Sequence, residues 1–203
     1  MNNCFPRPQP TQIAISNIIS TPVTPTVPSP VPPTGPFPDL PLLNQPRGLT
    51  PPFIAPYQIV PIDSSDPNLV IGNQYTAQIS PTRSTLFVFN VDYDRGKTCN
   101  LVFALPPPFD PKHVAPYTVS SPGGIAVSRL DRPMDERVSA SSVGGSTSVG
   151  SVPQVMPGNK YVIQSGPCEY GQLVGYRVDS TSGLDLQYFQ MTSPALGLFM
   201  EAV

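Results

Sequence analysis

Proline divides this chain into two kinds of polymer. Residues 1–61 hold 17 of the 30 prolines, and the remaining 142 of the 203 residues hold 13. Each proline removes a backbone donor and fixes φ, so "TPVTPTVPSPVPPTGPFPDLP" can be neither helix nor central strand. The segment is expected to be an extended, polyproline-like and disordered tether over residues 1–56, too poor in apolar side chains to build a core. Plain spacer, O-glycosylated stalk and ligand for proline-reading domains are its three readings.

From Tyr57 onward the pattern changes. "YQIVPI", "QYTAQI", "STLFVFNV", "TCNLVFAL", "YTVS", "GIAVSRL", "KYVIQS", "LVGYRV", "LDLQYFQ" and "LGLFME" are short and rich in Val, Ile, Tyr and Phe. Gly, Pro, Asn, Asp and Ser separate them, which is the pattern of strands between turns. Residues 57–203 therefore read as one all-β domain, an antiparallel β-sandwich. In "TLFVFNV" Leu86, Val88 and Asn90 alternate with Phe87, Phe89 and Val91. A strand apolar on both faces belongs in the middle of a sheet. "KYVIQS" places Tyr161 and Ile163 on one face against Lys160, Val162 and Gln164.

No window of 11 or more residues sustains helical periodicity. "SPGG" (Ser121–Gly124), "MPGN" (Met156–Asn159) and "DSTSG" (Asp179–Gly183) are the strongest turns, each supplying a Pro or polar residue followed by a Gly free to take positive φ. "LDRPMDER" reads as a solvated loop, and "SASSVGGSTSVGS" as a long mobile loop with at most a frayed edge strand.

Charge excludes some functions. With 11 basic and 13 acidic residues the net charge is −2, so there is no clustered cation surface for nucleic acid or an anionic membrane. No apolar run approaches the ~20 residues of a membrane-spanning helix, so no transmembrane segment is expected. The N-terminal twenty residues, with prolines at 6, 8 and 10, lack the apolar core of a secretory signal. Either the protein stays inside the cell or the given chain lacks its true beginning.

Few residues could carry chemistry. A nucleophilic cysteine needs a partner that lowers its thiol pKa, and the lone histidine, His113, reads as an exposed loop residue. Three isolated cysteines with no CxxC or HxxxH do not make a metal site, and no cofactor is expected. For Cys99 and Cys168, both beside predicted strands, a disulfide or two buried free thiols remain, and the disulfide is the preferred reading. Cys4 is an unpaired thiol, an intermolecular bridge or a residue outside the mature chain.

Asp92/Asp94 and Asp63/Asp66 could ligate calcium or act as a carboxylate pair, but Asp at a strand end before a Gly turn serves local backbone bonding. No GxSxG or phosphate loop is present. A polysaccharide hydrolase would need two carboxylates roughly 5–9.5 Å apart, which spacing alone does not supply. The chain is therefore not expected to be an enzyme. A carbohydrate platform could use only Tyr57, Tyr93, Tyr117, Tyr170 or Tyr188, since there is no Trp.

The landmarks "YQIVPIDSSDPNLVIGNQYTAQISPTRSTLFVFNV", "GKTCNLVFALP", "YTVSSPGGIAVSRL", "VMPGNKYVIQSGPCEYGQLVGYRV" and "LDLQYFQMTSPALGLFM", in this order, resemble the C-terminal domain family of the fungal protein But-two (ubiquitin three binding protein) over about residues 57–203. The resemblance implies a fungal source and a β-sandwich at the end of a secreted or cell-surface chain with a Ser/Thr/Pro-rich lead. Cys99 in "GKTC" and Cys168 in "GPC" match the family's cysteines; the further C-terminal cysteine of many members has no counterpart in "LGLFMEAV". Two functions follow as expectations. One is a non-enzymatic extracellular or cell-wall module for structure, adhesion or recognition, with cell-wall polysaccharide or a protein as partner. The other is a cytoplasmic interaction module that binds the activating enzyme of the neddylation modifier.

Overall fold

The structure is a computed structural model that describes residues 49, 52–92, 96–108 and 116–203. The residues assigned to the tether, apart from a few at its end, lie outside these, as do Cys4, Tyr93, Asp94 and His113.

Among the described residues every regular element is a strand: β1 (Phe53–Ile54), β2 (Gln58–Asp63), β3 (Thr76–Ile79), β4 (Arg83–Asn90), β5 (Thr98–Leu105), β6 (Tyr117–Ser121), β7 (Gly124–Leu130), β8 (Ser146–Val152), β9 (Asn159–Pro167), β10 (Leu173–Thr181), β11 (Asp185–Phe189), β12 (Met191–Thr192) and β13 (Ala195–Ala202). They form three antiparallel sheets. One runs β1-β13-β5-β9 with β12 on β13, the second β2-β4-β10-β7-β8, and the third β3-β11-β6.

The inner faces share one apolar core. Leu101, Phe103, Leu198 and Met200 from the first sheet meet Phe87, Phe89, Val127 and Val178 from the second, with Ile79, Leu186 and Tyr188 from the third. The rings of Phe103 and Tyr188 meet edge to face at 5.9 Å, joining the first sheet to the third. The chain is all-β and antiparallel, built as the alternating patterns require.

β4 shows why its sequence is apolar at consecutive positions. It pairs with β2 on one side and β10 on the other. Phe87 and Phe89 face the main core, while Leu86 joins Val60, Ile62, Leu130 and Val138 in a second cluster on the outer face of the same sheet. Met134, Ala140 and Val143 pack against that cluster. The stretch from Leu130 to Gly145 is thus a cover, in contrast to the solvated and mobile loops expected from composition. Val138 and Ser139 are buried, and Ser141 donates its amide to Pro67 O and its hydroxyl to Asn68 Oδ1. Small polar residues serve here because a tight Ser139–Ser142 turn satisfies its own backbone.

Two further expectations change. The β5–β9 ladder shifts register between Leu101 and Val102, so Leu101 faces Gln164 while Val102 faces Val162. The extra residue, Ile163, turns Gln164 onto the inner face that strict alternation denied it. In "SPGG" neither glycine takes positive φ. Their need is space: a Cβ on Gly123 would lie 2.5 Å from Leu184 N, and one on Gly124 would strike the Val152 and Pro153 carbonyls. Gly158 (φ 84°) and Ser182–Gly183 (φ 53° and 78°) do take the left-handed conformation in their turns.

Candidate functional site

The two ends of the sandwich differ. β4 runs from Arg83, beside the third sheet, to Asn90, just before Val91 at the other end. At that second end Cys99 and Cys168 form a disulfide, with Cα atoms 4.9 Å apart across 69 residues. Cys168 also donates its amide to Lys97 O. The adjoining Glu169 makes a bidentate ion pair with Arg129 of β7, whose second bond measures 2.8 Å. The turn between β9 and β10 is thereby fixed covalently to the first sheet and electrostatically to the second.

Arg129 lies 6.0 Å from the centre of the Tyr176 ring. Hydrogen bonding to Glu169 pushes the Arg129 guanidinium further up, so it stays charged. Burial raises the Tyr176 phenol above its ordinary range, against the lowering effect of Arg129. Beneath this clamp lies a cavity of about 40 Å³ lined by Cys99, Leu101, Gln164, Val174, Tyr176 and Met200. That volume holds a few waters and no organic substrate. The disulfide end is a closure.

The outer face of the third sheet is open. Tyr75, just before β3, and Phe189, at the end of β11, stack at 5.9 Å with planes 26° apart. They are 77% and 42% exposed. Thr76, Pro116, Thr118 and Gln187 line the groove beside them; a second depression, which shares Gln187, is lined by Gln78, Ser80, Arg83 and Asp185. Two large rings left stacked in water, with uncharged amides and hydroxyls alongside, form the kind of surface that binds a partner. Register makes the pair: Phe189 lies opposite Thr76 across the β3–β11 ladder, next to Tyr75. Gln190 donates its amide to Tyr75 O and holds the corner.

The sequence pointed to other tyrosines. Tyr188 is buried, and burial drives its phenol far above the usual range. Tyr117 is partly buried and donates its hydroxyl to Pro106 O at 3.0 Å; Tyr57 and Tyr170 are exposed but lie toward the disulfide end. Tyr75 belongs to the run "QYTAQI" and gains meaning only from a residue 114 positions away, so nothing local singles it out. Phe189 was assigned to a strand, with no sign of its exposure.

Of the acidic pairs, Asp63/Asp66 is described in full, and Asp94, the second member of Asp92/Asp94, lies outside the described residues. Asp63 is buried at the end of β2, accepting from the Ser65 amide and hydroxyl, with Arg83 at 3.2 Å. The Ser65 bonds hold its carboxyl below the usual range, assisted by Arg83. Asp66 and Asp92 are exposed. Among the described residues no group of three or more His, Cys, Asp or Glu could hold a metal, and no helix is long and apolar enough to cross a membrane.

No curated protein matches the chain. The family model described as "Ubiquitin 3 binding protein But2 C-terminal domain" matches residues 55–194, from just before β2 to the start of β13. That match covers more than half of the chain and nearly all of the sandwich: this protein belongs to the But2 C-terminal domain family.

Proposed function

We propose that this domain is a non-catalytic recognition module that binds a protein partner through the open outer face of the third sheet. The exposed Tyr75–Phe189 stack carries the reading. Tyrosine and other aromatics supply much of the binding energy at protein interfaces, where a large ring is buried at small entropic cost. The family description, which names a binding protein, supports a polypeptide partner over cell-wall polysaccharide.

The chain enters the sandwich at Phe53, which pairs with Glu201, and Ala202 pairs with Cys99. Phe53 and the last residues of β13 thus lie in the half of the first sheet that holds Cys99.

The module works in an oxidising compartment, secreted or at the cell surface, on this reading. A disulfide joining two strands supports it, since cytosolic thiols are kept reduced. A second reading, a cytoplasmic module for a ubiquitin-related partner, takes its support from the family description alone.

One experiment addresses partner and surface together. The full chain and its Tyr75→Ala, Phe189→Ala and Tyr57→Ala variants are used as bait in extracts and secreted medium of the source cells, with quantitative mass spectrometry. The reading predicts proteins lost by both groove variants and retained by Tyr57→Ala. Equal recovery by all four baits would refute it. Alkylation of the native protein before reduction assigns the compartment: free Cys99 and Cys168 thiols would favour the cytoplasmic reading.

A further inference from the structure

Sheet edges expose backbone donors and acceptors, and folded proteins usually cover or guard them. In this domain most edges are closed. On β2, Ile59 donates to Asn73 Oδ1 and accepts from the Gln74 amide; Pro61 and the Asp63–Arg83 ion pair guard the rest. On β3, Gln78 donates to Thr85 Oγ1 at 3.0 Å, and that hydroxyl donates back to Gln78 O at 2.7 Å. β8 and β9 approach each other where Gly150 lies against the Ile163 backbone.

β6 is different. It ends the order β3-β11-β6 and pairs only with β11. Phe189 donates its amide to Pro116 O, which makes Phe189 and Pro116 a hydrogen-bonded pair. In an antiparallel ladder such pairs alternate with unbonded ones, so Thr118 and Gln187 form the next bonded pair. The amide and carbonyl of Tyr117 and of Val119 then point away from β11, to the free side. Among the described residues neither backbone has a partner on that side. Thr118, Val119 and Ser120 are all exposed, and among the described residues none covers the edge. The strand, "YTVSS", carries neither charge nor proline, and a bulge at Ser120 ends the regular stretch.

We infer that β6 accepts an extended segment of a partner polypeptide as a fourth strand of this sheet, paired at Tyr117 and Val119. The inference rests on the protein-binding reading above and specifies how the partner is held. Strand addition draws affinity from main-chain bonds and specificity from alternate side chains. The inner-face neighbours of the added strand are Tyr117 and Val119, which favour apolar residues at alternate positions. The other face adjoins Thr118 and the groove beside Phe189, which favour uncharged polar residues between them. The segment is therefore short, uncharged at its centre and free of proline at the paired positions.

The Val119 amide points outward, so proline there removes the docking donor and leaves the β11 bonds intact. Val119→Lys keeps the donor and adds the charge that guards natural edges. The probe is a randomised heptapeptide library displayed on phage, selected on the full oxidised chain. Enriched peptides should alternate apolar and polar residues, and bind Val119→Pro and Val119→Lys at least tenfold more weakly. Both variants should melt within a few degrees of the parent, and in the peptide complex the Tyr117 and Val119 amides should exchange more slowly.

Absence of enrichment, or selected peptides that bind both variants as well as the parent, would overturn strand addition. A dimer of the free chain abolished by Val119→Pro would also overturn it, since a second copy would then occupy the edge. None of these results touches the partner-capture comparison at Tyr75 and Phe189, so the two claims fail separately.

Discussion

Removing the Cys99–Cys168 bond should cost the domain much of its stability without changing its fold. The magnitude follows from the closed loop. With a sequence separation of 69 residues, the loop-closure relation gives about 4.4 kcal/mol at 25 °C, through the entropy returned to the unfolded chain. The native side changes little, because Cys99 already faces Gly166 in the β5–β9 ladder and Cys168 already donates to Lys97 O. For a domain of this size each kcal/mol moves the melting midpoint by about 2–4 °C. Reduction should therefore lower Tm by roughly 10–15 °C.

The assay is thermal unfolding by circular dichroism, comparing oxidised protein, protein held in a non-denaturing reductant, and the Cys99→Ala/Cys168→Ala double variant. Because Cys99 is buried, the double variant also leaves a small cavity and should melt at or below the reduced parent. All three should share one far-ultraviolet spectrum at 20 °C. A drop of less than about 3 °C on reduction would refute the reasoning. It would mean that the unfolded ensemble already holds these segments together, or that Cys99 and Cys168 were never joined.

Other perturbations test other parts of the structure. Asp63 has a folded pKa below its unfolded value, so its contribution is complete above about pH 4 and is lost as pH falls through the lower folded pKa; Asp63→Asn should lower Tm at pH 7 and flatten the acid limb of a Tm–pH series, and an unchanged limb would contradict this. Glu201→Ala removes the carboxylate 3.1 Å from the mostly buried Lys160 ammonium, and losing that charge-assisted bond should cost about 2 kcal/mol in urea unfolding. Gly197 has φ 113°, and a Cβ there would run into Gln190 and Tyr188, so Gly197→Ala should cost at least about 2 kcal/mol.

The strands were legible because burial writes itself into alternation. All ten runs from "YQIVPI" to "LGLFME" contain or overlap a strand, and the doubly apolar "TLFVFNV" lies mid-sheet between β2 and β10. β1 and β12, two residues each, are made by their partners and have no pattern of their own. β8 reads as a loop with at most a frayed edge strand because Ser and Gly, four of its seven residues, have little strand preference; pairing with β7 completes it. One bulge defeats alternation locally, which is why Gln164 was given the wrong face. The aromatic pair was not legible at all. Tyr75 and Phe189 belong to different hairpins, and nothing along the chain announces that register will stack them. The free edge of β6 is likewise a property of strand order, which sequence periodicity does not encode.

The claim that recognition occurs on the outer face of the third sheet is tested most directly by amide hydrogen exchange of the full oxidised chain, with and without the protein recovered by the groove-dependent capture. The account predicts slowed exchange at Tyr75–Thr76, Tyr117–Val119 and Gln187–Phe189, with no change at Cys168–Gly171 or Arg129. Protection confined to the disulfide end would contradict it.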